Sequence, residues 1–354
     1  MSMSVSEKVA KRVAERNTWA TYSEPTVRMV CKMLWSLGNP SSGIPSQEEI
    51  DKIFPIAKVN WDLLRNPSED KIQSTWIGHA SVFVQMAGFN IITDPVFSKR
   101  CSAFQFAGPE RYRDPACKIQ DICVNESVGI DIILVSHNHY DHLDYNSVRE
   151  LAATAIKTKR PVHFIVALGL KKWFAHYVPD SMQEGNKVDE IDWHETYTIA
   201  GKDGNTSLEI TGIPMQHWSN RNGFDKDKSL WCGFGVKSRT STKSLNFLFS
   251  GDTGLFDGLN DVGERYGPFD LAAIPIGAYA PRWFMKPMHT NPEDAVKMMD
   301  TVKAIKAFPI HWGTFPLTVE PILEPRERLE EEMDALGKDR STFLASLIGE
   351  TTTS

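Results

Sequence analysis

From Ile72 onward the apolar residues fall in short runs broken by glycine, proline and asparagine, a pattern of strands. STWIGHASVFVQMAGFNIITDP, from Ser74, predicts three short strands turning at Gly78 and at Gly88-Phe89-Asn90. Within it Val82, Val84 and Met86 alternate with Ser81, Phe83 and Gln85, as in a β-hairpin. Further strands are predicted at 131–136, 162–166, 207–214, 230–236, 245–252, 270–276 and 304–311. Helical spacing covers 145–155, capped by Asp144, then 169–177, then 292–302, opened by Asn291 and Pro292. Strands alternating with helices over this length predict an α/β protein of layered sheets with helices outside.

Residues 1–70 follow a different, helical pattern. SEPTVRMVCKMLWSLGNP, from Ser23, has apolar positions at helical spacing and a stop at Gly38-Asn39-Pro40. Ser46 and Glu49 form a capping box for a second short helix. The chain therefore divides into a helical N-terminal extension, 1–70, and a catalytic domain, 71–354.

A net charge of −6 and a pI near 6.0 argue against a broad nucleic-acid face. The five cysteines are odd in number and contain no CxxC pair, as expected of reduced thiols in an intracellular protein. A metal here would be held by nitrogen and oxygen. The N-terminus lacks the apolar core of a signal peptide, and the uncharged run 72–93 suits a hairpin better than a membrane span, so no transmembrane helix is expected. The helix bearing Met33, Leu34 and Trp35 is a candidate for peripheral membrane contact.

The densest chemistry lies in SHNHYDHLD, Ser136 to Asp144. It gathers three of the chain's ten histidines with a carboxylate. After a strand, His137 and His139 are placed to face one cation, while Asp141 and His142 turn toward a second. Two like charges at close range need an anionic bridge. His217, Asp252 and His311 each follow an apolar strand and complete such a site.

With Asp94 in NIITDP, this ordered set resembles the metallo-β-lactamase superfamily. The resemblance spans roughly 70–320 and implies an αββα sandwich with two zinc ions at its rim. It implies that His137, His139 and His217 hold one ion and that Asp141, His142 and His311 hold the other. Asp252 and a hydroxide would bridge them, and Asp94 would orient a ligand histidine by a hydrogen bond. Two zinc ions lower the pKa of bridging water from ~15.7 to about 7 or below, which makes a nucleophile at neutral pH.

TWIGHASV, ITDPVFSKRCS, HWSNR, SGDTG, MHTNPEDAV and AFPIHWGTF narrow the resemblance to the N-acylphosphatidylethanolamine-hydrolysing phospholipase D family. That implies attack on phosphorus in a membrane lipid, releasing N-acylethanolamine and phosphatidic acid. Asp141 and Asp252 carry catalytic as well as ligand roles, and the resemblance places His289 near the metals as a phosphate contact or acid. Trp283, Phe284 and Met285, beside Arg282 and Lys286, are candidates for lipid contact, and Arg221 for phosphate contact. His79 is expected as a structural hydrogen bonder. A phospholipid substrate, peripheral membrane attachment and a homodimer follow as expectations. The alternative is a lactonase or phosphoesterase of the same fold acting on a soluble substrate; a nuclease conflicts with the acidic pI, and a non-catalytic scaffold with the full ligand set.

Overall fold

The computed structural model describes residues 3–37, 45–239 and 243–354. Two mixed sheets form the centre. The first contains β1 (Gln73–Gly78), β2 (Ser81–Met86), β3 (Phe89–Thr93), β4 (Ile132–Val135), β5 (His163–Ala167) and β6 (Lys187–Ile191). The second contains β7 (Thr196–Ala200), β8 (Ser207–Ile213), β9 (Gly233–Arg239), β10 (Asn246–Phe249), β11 (Leu271–Pro275) and β12 (Ala307–Ile310). The last strand, β13 (Thr351–Thr353), returns to the first sheet and pairs with β1.

Each sheet begins as an antiparallel meander and continues with parallel strands: β3–β4–β5–β6 in one, β10–β11–β12 in the other. β8 and β10 each run antiparallel to β9 and so point the same way. Parallel direction brings the C-terminal ends of β3 and β4 to one edge, and those of β8, β10 and β12 to one edge. That is where open α/β sheets hold ligands.

The expected β2–β3 hairpin forms, but both faces of β2 are buried, because helices and the second sheet cover what a half-exposed hairpin would show to water. The strand predicted at 230–236 starts later, at Gly233. Leu230 and Cys232 instead donate backbone hydrogen bonds to Leu168 and Ser136, just beyond β5 and β4, and so lace the two sheets together.

Ten α-helices lie among the described residues. The N-terminal ones are α1 (Val5–Asn17), α2 (Val27–Leu37), α3 (Gln47–Ile53) and α4 (Trp61–Arg65). The Ser46–Glu49 capping box opens α3 as expected. Met33 is buried, while the side chains of Leu34 and Trp35 and the stop at Gly38-Asn39-Pro40 lie outside the described residues. α1 lies against the sandwich: Val9 joins the main core, and Trp19, just beyond the helix, stacks on Trp193 at 5.5 Å. α5 (Tyr145–Thr158), capped by Asp144, and α6 (Lys171–Tyr177) accompany the first sheet. α7 (Gly258–Tyr266), α9 (Pro292–Thr301) and α10 (Glu324–Ala335) pack together beside β11, and the short α8 (Arg282–Met285) precedes α9. Asn291 caps α9 with Pro292 in its first turn. No described helix is long and apolar enough to cross a membrane.

β11 and β12 approach closely at the site edge, where a Cβ on Gly277 would meet the His311 carbonyl oxygen at 2.1 Å. Gly277→Ala is expected to cost about 1–3 kcal/mol in denaturant unfolding and to shift the His311 backbone. Unfolding at the parent midpoint would contradict this close approach.

Candidate metal centre

β4 ends at Val135 and releases the loop 136–144. After His139 the loop makes one tight turn, in which the N–H groups of His142 and Leu143 donate to the His139 carbonyl at 3.1 and 2.8 Å. This turn separates the pair His137 and His139 from the pair Asp141 and His142. His137 Nε2 and His139 Nδ1 lie 2.7 Å apart, and His217 Nε2 lies 3.3 Å from the same Nδ1. The three rings aim nitrogen lone pairs at one small volume.

A second group forms around Asp141 Oδ2. His311 Nε2 lies at 3.2 Å and His142 Nε2 at 3.4 Å. Asp252 stands between the groups. Its Oδ2 is 3.1 Å from both His142 Nε2 and His311 Nε2, and 3.9 and 3.7 Å from the Nε2 atoms of His137 and His217. The structure thus brings all seven expected ligands together, with Asp252 in the shared position.

Charge and protonation suit cations. Burial lowers the pKa of His137 and His217 well below the usual histidine range and that of His139 to about 4, leaving neutral imidazoles able to donate lone pairs. Burial would raise Asp141 and Asp252, but His142 outweighs it, and both stay well below the usual carboxylate range. Burial would likewise lower His142 and His311, yet the two carboxylates hold His142 well above its ordinary value and His311 at about 9. The cluster calls for positive charge beside its anions, which protons on these rings or divalent cations can supply. His142 Nε2, Asp252 Oδ1 and His289 Nδ1 are buried without hydrogen-bond partners at the centre of the cluster, as a candidate metal donor set would leave them.

Hydrogen bonds behind the cluster fix the His142 and His217 rings and hold Asp141. Asp94 Oδ2 accepts from His142 Nδ1 at 2.6 Å and from Ser136 Oγ at 2.5 Å, and its Oδ1 accepts from the Ser136 N–H at 2.7 Å. His217 Nδ1 donates to the Met288 carbonyl at 3.0 Å, which turns Nε2 inward. His79 Nε2 lies 3.0 Å from Asp141 Oδ2, and the His79 carbonyl accepts the His311 N–H at 3.1 Å. His79 therefore grips the side chain of one ligand and the backbone of another.

His289 is buried beside the cluster, its Nδ1 3.9 Å from Asp252 Oδ2, with burial holding its pKa near 3. A cleft of about 320 Å³ opens above, lined by His139, Asp141, Asp252 and His289 at the polar end and by Phe284, Met285, Met288 and Leu317 along an apolar wall. Trp283 is placed outside this cleft, with Lys32 over its ring at 4.4 Å. Arg221 also points elsewhere. Its guanidinium Nη1 donates to the carbonyls of Asn138 and Leu143 at 3.0 and 2.7 Å and the group stacks on Tyr140, so it braces the 136–144 loop while lining a neighbouring groove and not the cleft itself.

Two arginines play supporting roles that the sequence did not reveal, although Arg282 stands out there as a cation beside Trp283. Arg16 of α1, fully buried, donates to the His217 carbonyl at 3.1 Å and pairs with Asp227 at 3.1 Å. Arg282 donates to the His289 carbonyl at 2.7 Å while paired with Asp294. Lone arginines carry no spacing signal, although the Ser4–Glu7 capping box could have marked α1.

Residues 89–312 match the Beta-lactamase superfamily domain. The sequence is 40% identical to N-acyl-phosphatidylethanolamine-hydrolyzing phospholipase D 1 of Caenorhabditis elegans over 295 residues, 82% of this chain and 78% of the relative. The chain belongs to the N-acylphosphatidylethanolamine-hydrolysing phospholipase D family of the metallo-β-lactamase superfamily. A mitochondrial Saccharomyces cerevisiae member of this family is 35% identical over 265 residues, 74% of this chain but only 52% of the yeast protein. A metallo hydrolase from Ignicoccus hospitalis shares the fold, with a TM-score of 0.53 and 22% identity over 80% of this chain and 98% of that one. The protein is thus a hydrolase of this superfamily, with its candidate metal ligands gathered at the sheet edge.

Asp94→Asn would keep the side-chain shape but turn an NH2 toward a donor in place of an accepting oxygen. Metal affinity, read by competition with a chromophoric chelator, is expected to fall about 10–100-fold. An unchanged affinity would show that Asp94 does not orient His142.

Proposed function

We propose that this protein cleaves the phosphodiester of N-acylphosphatidylethanolamine, releasing N-acylethanolamine and phosphatidic acid. The observation that carries this reading is the 40% identity, across most of both chains, to the Caenorhabditis elegans protein named for that activity. The cleft supports it, joining a polar, ligand-rich end to an apolar wall beside the reacting position.

His137, His139 and His217 would hold one zinc ion and Asp141, His142 and His311 the other, with Asp252 shared. Bound there, two such ions would supply Lewis-acid charge for the phosphate and would make hydroxide available from water at neutral pH. The chain's own residues set the geometry. Asp94, the Met288 carbonyl and His79 fix the directions of His142, His217 and Asp141. His289 presents an unpartnered Nδ1 toward Asp252 across 3.9 Å. As a neutral imidazole it donates a hydrogen bond to a phosphoryl or leaving oxygen lodged beside it. Phe284, Met285, Met288 and Leu317 exclude water and receive the apolar part of the lipid next to the headgroup. The water oxygen ends on phosphorus, the bond from phosphorus to the ethanolamine oxygen breaks, and that oxygen leaves with one of the water's protons as the N-acylethanolamine hydroxyl.

Mass spectrometry on micellar N-acylphosphatidylethanolamine in 18O-water tests bond and metal together. The label is expected in phosphatidic acid and not in N-acylethanolamine, with both products abolished by a zinc chelator. His289→Ala should lower turnover about 10²–10⁴-fold with metal content intact. Label in N-acylethanolamine, or turnover only on water-soluble esters, would overturn the reading.

A further inference from the structure

The catalytic cleft and a neighbouring groove of about 560 Å³ share Tyr140 as a common wall. Both are bordered by the same two loops, one following Cys101 and one following Trp218. The tips of these loops carry phenylalanines that contact little else. Phe106 is 82% exposed and stacks on Phe104 at 5.2 Å, and Phe224 is 87% exposed. Single exposed apolar residues are ordinary on a soluble surface, but phenylalanine tips on both loops at the mouth of one site are not.

The backbone beneath Phe224 makes the same point. A loop tip that reaches the headgroup–acyl boundary loses much of the water that would otherwise pair with its N–H groups. Here the N–H groups of Arg221 and Asn222 donate to Asp225 Oδ1 at 2.8 and 2.9 Å. Those of Gly223 and Phe224 donate to the side-chain oxygens of Asn220 and Asn222 at 3.0 and 2.8 Å. Four consecutive donors are thus satisfied by the loop's own side chains. In the other loop, Gln105 closes the turn on Arg100, accepting its N–H at 3.2 Å and donating to its carbonyl at 3.0 Å. Arg221 clamps the Phe224 loop to the metal loop, so the tip is held at a fixed position relative to the cleft.

We propose that Phe104, Phe106 and Phe224 form a rim that inserts into the surface of a phospholipid bilayer and seats the cleft mouth against it. The choice of a bilayer as partner rests on the lipid reading given above. The rim adds the means of reaching a substrate that does not leave the membrane: the tips enter the interfacial layer while the cleft opens beside them.

Co-sedimentation with phosphatidylcholine vesicles containing phosphatidic acid, and no substrate, tests this apart from catalysis. The parent should sediment with vesicles. The double variant Phe106→Ser/Phe224→Ser should bind about a hundredfold more weakly, from the loss of two buried aromatic side chains. It should hydrolyse a short-chain substrate below its micellar concentration at the parent rate. Ile305→Ser, at the opposite end of β12 from His311, removes an exposed apolar residue away from the rim and should bind vesicles like the parent. A parent that stays in solution, or a double variant that sediments as the parent does, would overturn the proposal. Vesicle binding by the parent without hydrolysis of N-acylphosphatidylethanolamine would remove the substrate assignment and leave the rim standing.

Discussion

Asp252 Oδ2 lies within 3.9 Å of ring nitrogens from His137, His142, His217, His289 and His311. A carboxylate this deeply buried is costly unless positive charge or hydrogen bonds compensate it. That requirement organises the rest of the molecule. The five histidines arrive from four separate segments, so the sheets must bring distant strand ends together before the charge is balanced. The parallel direction of β3 and β4, and of β8, β10 and β12, achieves this. Without the sandwich there is no cluster. Without cations or ring protons, the cluster is an unbalanced anion pair inside it.

A second feature is the use of arginine. Arg16, Arg221 and Arg282 each donate to a backbone carbonyl of a ligand-bearing or substrate-facing loop, and Arg111 grips the Val96 carbonyl just beyond Asp94. Arg16 and Arg221 act at long range in sequence, across 201 and 83 residues, and at short range in space. Loops held this way keep their side chains within the narrow tolerance that a metal site demands. Arg16 also makes the N-terminal helix part of the site's support, since it reaches the backbone of His217.

The clustering of the candidate ligands was legible because each follows an apolar strand, a pattern that the sheet topology turns directly into proximity. Asp94 was readable for the same reason. The caps of α3, α5 and α9 were readable because capping is local chemistry. β6, β7 and β13 were missed. KVDEI and TYTIA are short and partly exposed, and TTT has no apolar residue at all; it becomes a strand only because the edge of β1 is available to pair with it. The bracing role of Arg221 was hidden for a related reason. Its nearness in sequence to His217 suggested phosphate, whereas tertiary packing sets one of its guanidinium nitrogens on two carbonyls of the 136–144 loop. The cleft wall at Met288 and Leu317 left no trace in periodicity, since both lie in loops.

The proposed sharing of Asp252 between two cation sites is tested most directly by metal stoichiometry. Elemental analysis of zinc-loaded, dialysed protein should find two ions per chain in the parent. Asp252→Asn should retain fewer than two and lose most turnover. One ion per chain in the parent, or two in the variant with turnover unchanged, would contradict the account.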